Sequence, residues 1–368
     1  MSETIYLDYA ATTPVDEEVF AAAKPYYTDI FYNPASGHAL GQKANAAIEH
    51  ARRQCAEAIN ANPDEIIFTS GGAESINMAL CGVQGGLAVS AIEHDTALAC
   101  AERLSKSGAE VTYIQPNSDG IITPDALNAA ITDKTKLACV MTVNNIIGSI
   151  QPIKQLAEVV HEKGALFFTD AVQAVNSLDI DVKDLGVDML AVSGHKFYAP
   201  KGVGFLYVKR GVKLNPLIVG GNQEGGVRAG THNVPAIVAM GEAITKAKAV
   251  REQYVAHTKK VADEFIENLD CGKIVLKQNK TDDIVSVLFC GKSGYIDGGR
   301  LAVALSVEGV CCSVGSACSA GSATPPQTLL AMGVEHAGSI LRFSFGRNTT
   351  IEQAQSAANI VNSVVKRF

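Results

Sequence analysis

Nowhere does this sequence approach the run of about 20 apolar residues that a membrane helix requires. Its start, Met1-Ser2-Glu3-Thr4-Ile5, has neither the basic segment nor the apolar core of a secretory signal. Together these absences predict a cytoplasmic protein with no membrane association. Basic residues are in deficit, 31 Lys and Arg against 38 Asp and Glu, and the net charge of -7 argues against nucleic acid as a direct partner. Nine cysteines are present, but no Cys-x2-Cys chelate with a nearby histidine, so no resident metal site is expected. Cys55, Cys81, Cys100, Cys139, Cys271 and Cys290 stand singly among apolar residues, which suits buried thiols in a reducing compartment. Thr69-Ser70-Gly71-Gly72 is neither a Walker loop nor a dinucleotide fingerprint.

What is present is the composition of an α/β enzyme: 368 residues, 47% hydrophobic, with 33 glycines. A chain of this length exceeds the roughly 250 to 300 residues at which single cores stop growing, so two domains are expected. Apolar runs at 66–69, 87–92, 111–114, 137–143, 165–170, 188–193 and 204–208 alternate with amphipathic stretches at 39–60, 72–80 and 153–163. Such alternation predicts a mostly parallel sheet, whose ligands sit beyond the carboxyl ends of the strands. Polar residues gather at those ends: the Gly71-Gly72 turn, His94, Asn145, Asp170 with Gln173, and Ser193-Gly194-His195-Lys196.

Lys196 is unusual because it follows a core strand and a glycine that lets a ligand come close. A lysine so placed can lose its proton and attack a carbonyl, and pyridoxal phosphate is the commonest partner for that chemistry. Asp170, ending another apolar run, is then the candidate carboxylate for the cofactor's ring nitrogen. The small-residue turn at Gly71-Gly72 opens a helix whose N–H groups can receive a phosphate, and the flat ring of His94 can stack on a pyridine face. Asn33 and His38, in a polar loop, are weaker ligand candidates. Gly220 to Thr231 reads as a flexible glycine-rich loop from which Thr231 can donate to a phosphate, across the interface if the protein is a dimer. A long helix over 234–269 leads into a smaller α+β unit with strands near 284–289 and 340–345. Between those strands, Cys318 is flanked by small and polar residues and is the thiol best placed to react.

With these residues assembled, the chain resembles the pyridoxal phosphate-dependent cysteine desulfurases of the NifS/IscS type, within the class V aminotransferase superfamily. The likeness runs through Tyr6 to Pro14, Asn33-Pro34-Ala35-Ser36, Thr69-Ser70-Gly71-Gly72, Ser193-Gly194-His195-Lys196, Arg228-Ala229-Gly230-Thr231, Gly315-Ser316-Ala317-Cys318 and Arg342 to Arg347. It implies a fold-type I homodimer with a large cofactor domain over residues 15–250 and a small domain formed by residues 1–14 and 251–368. In that scheme Lys196 holds pyridoxal phosphate covalently, Asp170 pairs with its ring nitrogen, His94 stacks on the ring and Gln173 meets its phenolic oxygen. Gly72, Ala73, Ser193, His195 and Thr231 surround the phosphate, with Asn145 beside the ring. Arg342 binds the carboxylate of L-cysteine, for which a planar fork suits better than a lysine, with Asn33 and Asn145 as further substrate contacts. Lys196, His94 and Cys318 are the catalytic set. Cys318 takes sulfur from cysteine as a persulfide, for delivery to an iron-sulfur scaffold or tRNA-thiolation protein, with a transient iron-sulfur ligand role for Cys318 as a further reading.

The sequence departs from that family pattern at several places. Ala73 replaces a usual threonine and Ile146 a usual acidic residue, while Cys311 and Cys312 stand where cysteine is unusual. The chain stops at Phe368, without the C-terminal extension that IscS-type members use toward their scaffold. Alternative readings are a selenocysteine lyase or another class V aminotransferase, and a weakly active sulfur-carrier docking subunit.

Overall fold

A computed structural model describes residues 4–292, 294–315 and 325–368. The strands in chain order are β1 (Ile5–Tyr6), β2 (Ile66–Thr69), β3 (Gly86–Ser90), β4 (Val111–Ile114), β5 (Thr135–Cys139), β6 (Leu166–Asp170), β7 (Met189–Ser193) and β8 (Gly204–Val208). They are followed by β9 (Lys273–Ile274), β10 (Ile284–Leu288), β11 (Cys290–Gly291), β12 (Gly294–Tyr295), β13 (Val310–Cys311) and β14 (Ile340–Ser344).

The central sheet has the order β2-β8-β7-β6-β5-β3-β4. Its strands β4, β3, β5, β6 and β7 pair in parallel. All residues of β3 and β7 are buried, as expected of strands covered on both faces, whereas edge strand β4 leaves Tyr113 exposed. The exception to parallel order is β8, which runs antiparallel to both β7 and β2. Only residues 197–203 join Lys196 to β8, too few for the dozen or more that a parallel crossover needs. At Gly204 a β-carbon would meet Val192 O at 2.4 Å and Gly71 Cα at 2.8 Å, so glycine is required for β8 to pass the Gly71 turn.

On one face of the sheet, the helices Ala39–Ala58 and Val234–Glu267 bury Ala44, Ile48, Met240 and Ile244 against Phe167 and Leu190. On the other, Gly72–Gly82 and Asp95–Lys106 bury Met78, Leu80 and Cys100 against Val89 and Leu206. A separate core unites Val261 and Phe265, at the far end of the long helix, with Val285, Phe343 and the C-terminal helix Ile351–Val365. Ile5 and Leu7 belong to this second core, and β1 pairs with β13 in parallel. Each fully buried ring such as Phe265, 4.7 Å from Phe343 between centroids, stabilises the fold by about 1.5 to 3 kcal/mol.

The glycine-rich segment is more tightly held than its composition suggests. Glu224 and Gly225 adopt left-handed backbone, and the Glu224 carboxylate accepts from Arg52 Nη1 at 2.7 Å, Phe68 N at 2.9 Å and His232 Nε2 at 2.6 Å. Arg228 Nε donates to Glu74 Oε1 at 2.7 Å, tying the same segment to the helix Gly72–Gly82. Among the described residues, no helix is long and apolar enough to cross a membrane.

Candidate active site

At the carboxyl ends of the parallel strands lies a cavity of about 250 Å³, lined by Gly72, Ala73, His94, Asn145, Asp170, Gln173, Ser193, His195, Lys196 and Arg342, together with Ala10, Ala11 and Met141. Residues from segments more than 300 positions apart thus converge on one space. A larger and shallower cleft of about 710 Å³ opens beside Asp16, Lys246 and Arg347, on residues other than these.

Each side chain is set by its element. Lys196 ends the single turn Gly194–Lys196 that follows β7, and its Nζ donates to Ala10 O at 2.6 Å and Ala11 O at 2.8 Å. Gln173 Nε2 donates to the same Ala10 carbonyl at 2.9 Å. Asp170 ends β6, is 4% exposed, and accepts from Val172 N at 2.8 Å. Burial raises its pKa, opposed by the Val172 N–H, His94 and Lys196. A buried carboxylate in that condition calls for a cationic or N–H partner. His94 caps the helix Asp95–Lys106, its Nδ1 accepting from Thr96 N at 3.1 Å. His195 Nδ1 lies 3.2 Å from Thr12 Oγ1, and burial with the charges of Lys196 and Lys201 pushes its pKa down to about 4. It is therefore neutral at pH 7.

One end of the cavity is the N-terminus of the helix Gly72–Gly82. Gly71, at φ +144, precedes it and offers no side chain to cap its first N–H groups. A β-carbon on Gly72 would crowd Val172 Cγ2 at 3.2 Å. Open N–H groups, the helix dipole and Ser193 beside the turn make this an anion cradle.

Arg342, 1% exposed on β14, brings the second core into the cavity wall. Its Nη1 donates to Asn145 O at 2.7 Å and its Nη2 to Asp8 Oδ1 at 2.8 Å, while its Nε is buried without a partner. A buried guanidinium with an unsatisfied N–H in a cavity wall is suited to a carboxylate ligand. The cavity residues thus fit pyridoxal phosphate and an amino acid together: an amine, a buried carboxylate, a flat ring, an anion cradle and a guanidinium.

Some candidates lie elsewhere. Asn33 is exposed outside the cavity, where its Oδ1 accepts from Ala35 N at 2.9 Å in a turn. His38 caps the helix Ala39–Ala58 through Gly41 N at 3.1 Å. Thr231 is exposed and does not line the cavity. Cys318 lies outside the described residues. Ile146 packs with Ile147, Leu276, Leu329 and Ile340 in a small apolar cluster. Cys312 packs against the second core, and burial pushes its thiol well up.

Sequence reasoning missed Asp8 and the Ala10 and Ala11 carbonyls. It also missed Glu93, 3% exposed, whose Oε1 accepts from Met141 N at 2.7 Å. Burial, with the Asp170 charge adding, pushes Glu93 up to about 8. Glu93 therefore holds a proton at neutral pH and adds no second charge beside Asp170.

A profile of the aminotransferase class-V family matches residues 5–356. The chain belongs to the class V aminotransferase family. Within the family, it is similar to cysteine desulfurase IscS of Dictyoglomus turgidum, 40% identical over 100% of this chain and 96% of that protein. A cysteine desulfurase IscS of Methanosarcina thermophila is 41% identical over 100% of this chain and 93% of that protein. Among solved structures, a NifS-like protein superposes with a TM-score of 0.91 at 31% identity, covering 98% of this chain and 99% of that one. SspA in complex with cysteine superposes with a TM-score of 0.84 at 36% identity, covering 94% and 100% of the two chains.

Proposed function

We propose that this class V family member is a pyridoxal phosphate-dependent cysteine desulfurase that converts L-cysteine to L-alanine and carries the sulfur on Cys318. The observation that carries the reading is the meeting of Lys196, Asp170, His94 and Arg342 in one cavity. Full-length similarity to IscS desulfurases and to a structure holding cysteine supports it.

Pyridoxal phosphate supplies, when bound, an electron sink for a carbanion beside its ring. Lys196 Nζ would hold it covalently, and Asp170 would keep its ring nitrogen protonated. His94 would cover one face of the ring and Gln173 would meet its phenolic oxygen. The N–H groups of Gly72 and Ala73, with Ser193 and His195, would hold the phosphate. Thr231 would join them from a second copy of the chain, since it stands outside the cavity of its own. Arg342 would orient the substrate carboxylate, with Asn145 beside it. Lys196 Nζ would take the proton from the cysteine Cα. The Cys318 thiolate would then attack the substrate sulfur. The carbon-sulfur bond would break, Cys318 would keep the sulfur as a persulfide, and protonation at Cβ with return of a proton to Cα would give alanine.

The two cores correspond in this reading to a large domain over 15–250 and a small domain over 1–14 and 251–368. We further infer a cytoplasmic homodimer that passes sulfur to an acceptor protein. Incubation of the cofactor-loaded protein with cysteine and a thiol reductant tests the activity: alanine and sulfide should form in equal amounts. Alanine without sulfide would refute it. Borohydride treatment followed by peptide mass spectrometry should place a pyridoxyl group on Lys196, and its appearance on another lysine would refute that assignment.

A further inference from the structure

The helix that offers its N-terminus to the cavity ends beside a pair of thiols that the desulfurase reading does not use. Cys81 Sγ, in the last turn of Gly72–Gly82, lies 3.3 Å from Cys100 Sγ on Asp95–Lys106. Arg103, one helical turn beyond Cys100, donates from Nη2 to Cys81 Sγ at 2.7 Å. Cys81 is partly exposed and Cys100 is 3% exposed. The two thiols that seemed isolated in sequence are therefore neighbours in space. Their environments also differ in kind. The S–H of Cys100 and the Arg103 guanidinium hold the Cys81 thiol below its ordinary pKa, whereas donation to Cys81 and burial push Cys100 up. This separates an accessible nucleophilic thiol from a buried resolving one.

We propose that Cys81 and Cys100 form a redox-active dithiol, oxidised by a hydroperoxide to a reversible disulfide. The Cys81 thiolate attacks one oxygen of the peroxide, the O–O bond breaks, and after proton uptake the other oxygen leaves as water (from hydrogen peroxide) or as an alcohol (from an organic hydroperoxide), with Cys81 as a sulfenic acid. Cys100 then attacks the Cys81 sulfur and the sulfenic oxygen departs as water. Overall, two thiols lose two electrons and two protons, and the hydroperoxide is reduced. The 3.3 Å separation of the two sulfurs is already within van der Waals contact and must shorten to a bond of about 2.05 Å. The bridge would staple together the helix that cradles the anion and the helix that His94 caps.

The test uses full-length, cofactor-loaded Cys318→Ser protein, which removes a competing thiol and makes the readout independent of desulfurase activity. After stoichiometric hydrogen peroxide at neutral pH, free thiols are alkylated and peptides are mapped by mass spectrometry. The Cys81 and Cys100 peptides should be joined, with loss of two hydrogens, and dithiothreitol should release them. Adding Cys100→Ser should leave a sulfenic acid on Cys81 that dimedone traps. Arg103→Met should move the midpoint of Cys81 alkylation to higher pH and slow its oxidation by about threefold or more. Recovery of both as free thiols after exposed Cys290 has been oxidised would overturn the proposal. So would oxidation of Cys81 to sulfonic acid with no linked peptide.

Discussion

Arg342 reaches Asp8 across 2.8 Å, joining β14 to the N-terminal segment whose Ala10 and Ala11 carbonyls receive Lys196. One short stretch near the N-terminus therefore steadies both the group proposed for the substrate carboxylate and the amine proposed for the cofactor.

This geometry makes Arg342 sensitive to shape as well as charge. Arg342→Lys keeps the charge but loses the fork that spans Asp8, the Asn145 carbonyl and the cavity. A hydrogen bond to a charged group is worth about 1.5 to 3 kcal/mol, so kcat/KM for cysteine should fall by about 10- to 100-fold, chiefly through KM. Asp8→Asn should give a smaller change in the same direction. Steady-state kinetics with an unchanged KM in Arg342→Lys would contradict the assignment.

Ala73 lines the anion cradle with a methyl and so offers the phosphate no hydroxyl. Ala73→Thr should tighten pyridoxal phosphate binding by about one decade, the worth of one added hydrogen bond to a charged group. Titration of the apo protein measures this directly. Equal or weaker binding in the variant would place the phosphate elsewhere.

Glu224 governs an acid limit of stability. Burial pushes its carboxyl up, but Arg52, His232 and the Phe68 N–H outweigh that effect and hold it at about 2, against an ordinary 4.5. Because the folded pKa is the lower one, the stabilisation is fully present above the ordinary value and is lost as pH falls from about 5 toward 2. At neutral pH it is on the order of 3 kcal/mol. Denaturant titrations of wild type and Glu224→Gln should differ by that much at pH 7 and converge as the pH approaches the folded value. A difference independent of pH would refute the ion-pair account.

The mostly parallel character of the large sheet was legible because its strands are unbroken apolar runs ending in polar residues, so Asp170, His94 and Lys196 were marked by position as well as by type. The reversed β8 also had a signal, since residues 197–203 are too short for a crossover, but reading it requires counting a connection and not a motif. Asp8, Ala10 and Ala11 were harder. Their part depends on carbonyls and one carboxylate meeting residues more than 180 positions away, and a main-chain carbonyl carries no mark of residue type. Asn33 and Thr231 show the converse: polar residues in glycine- or proline-broken loops looked available, yet one serves its own turn and the other does not line the cavity of its chain. The Glu224 network was equally hidden, because its partners Arg52, Phe68 and His232 come from separate segments.

The central claim is that sulfur leaves cysteine for Cys318, and not for the partly buried Cys312 or for Cys311 beside it. The most direct measurement is peptide mass spectrometry of the cofactor-loaded protein after one turnover with cysteine, in the absence of reductant. The account predicts one added sulfur on the Cys318 peptide, one alanine released per added sulfur, and neither product in Cys318→Ser. Added sulfur on Cys312 with full alanine formation in Cys318→Ser would contradict it.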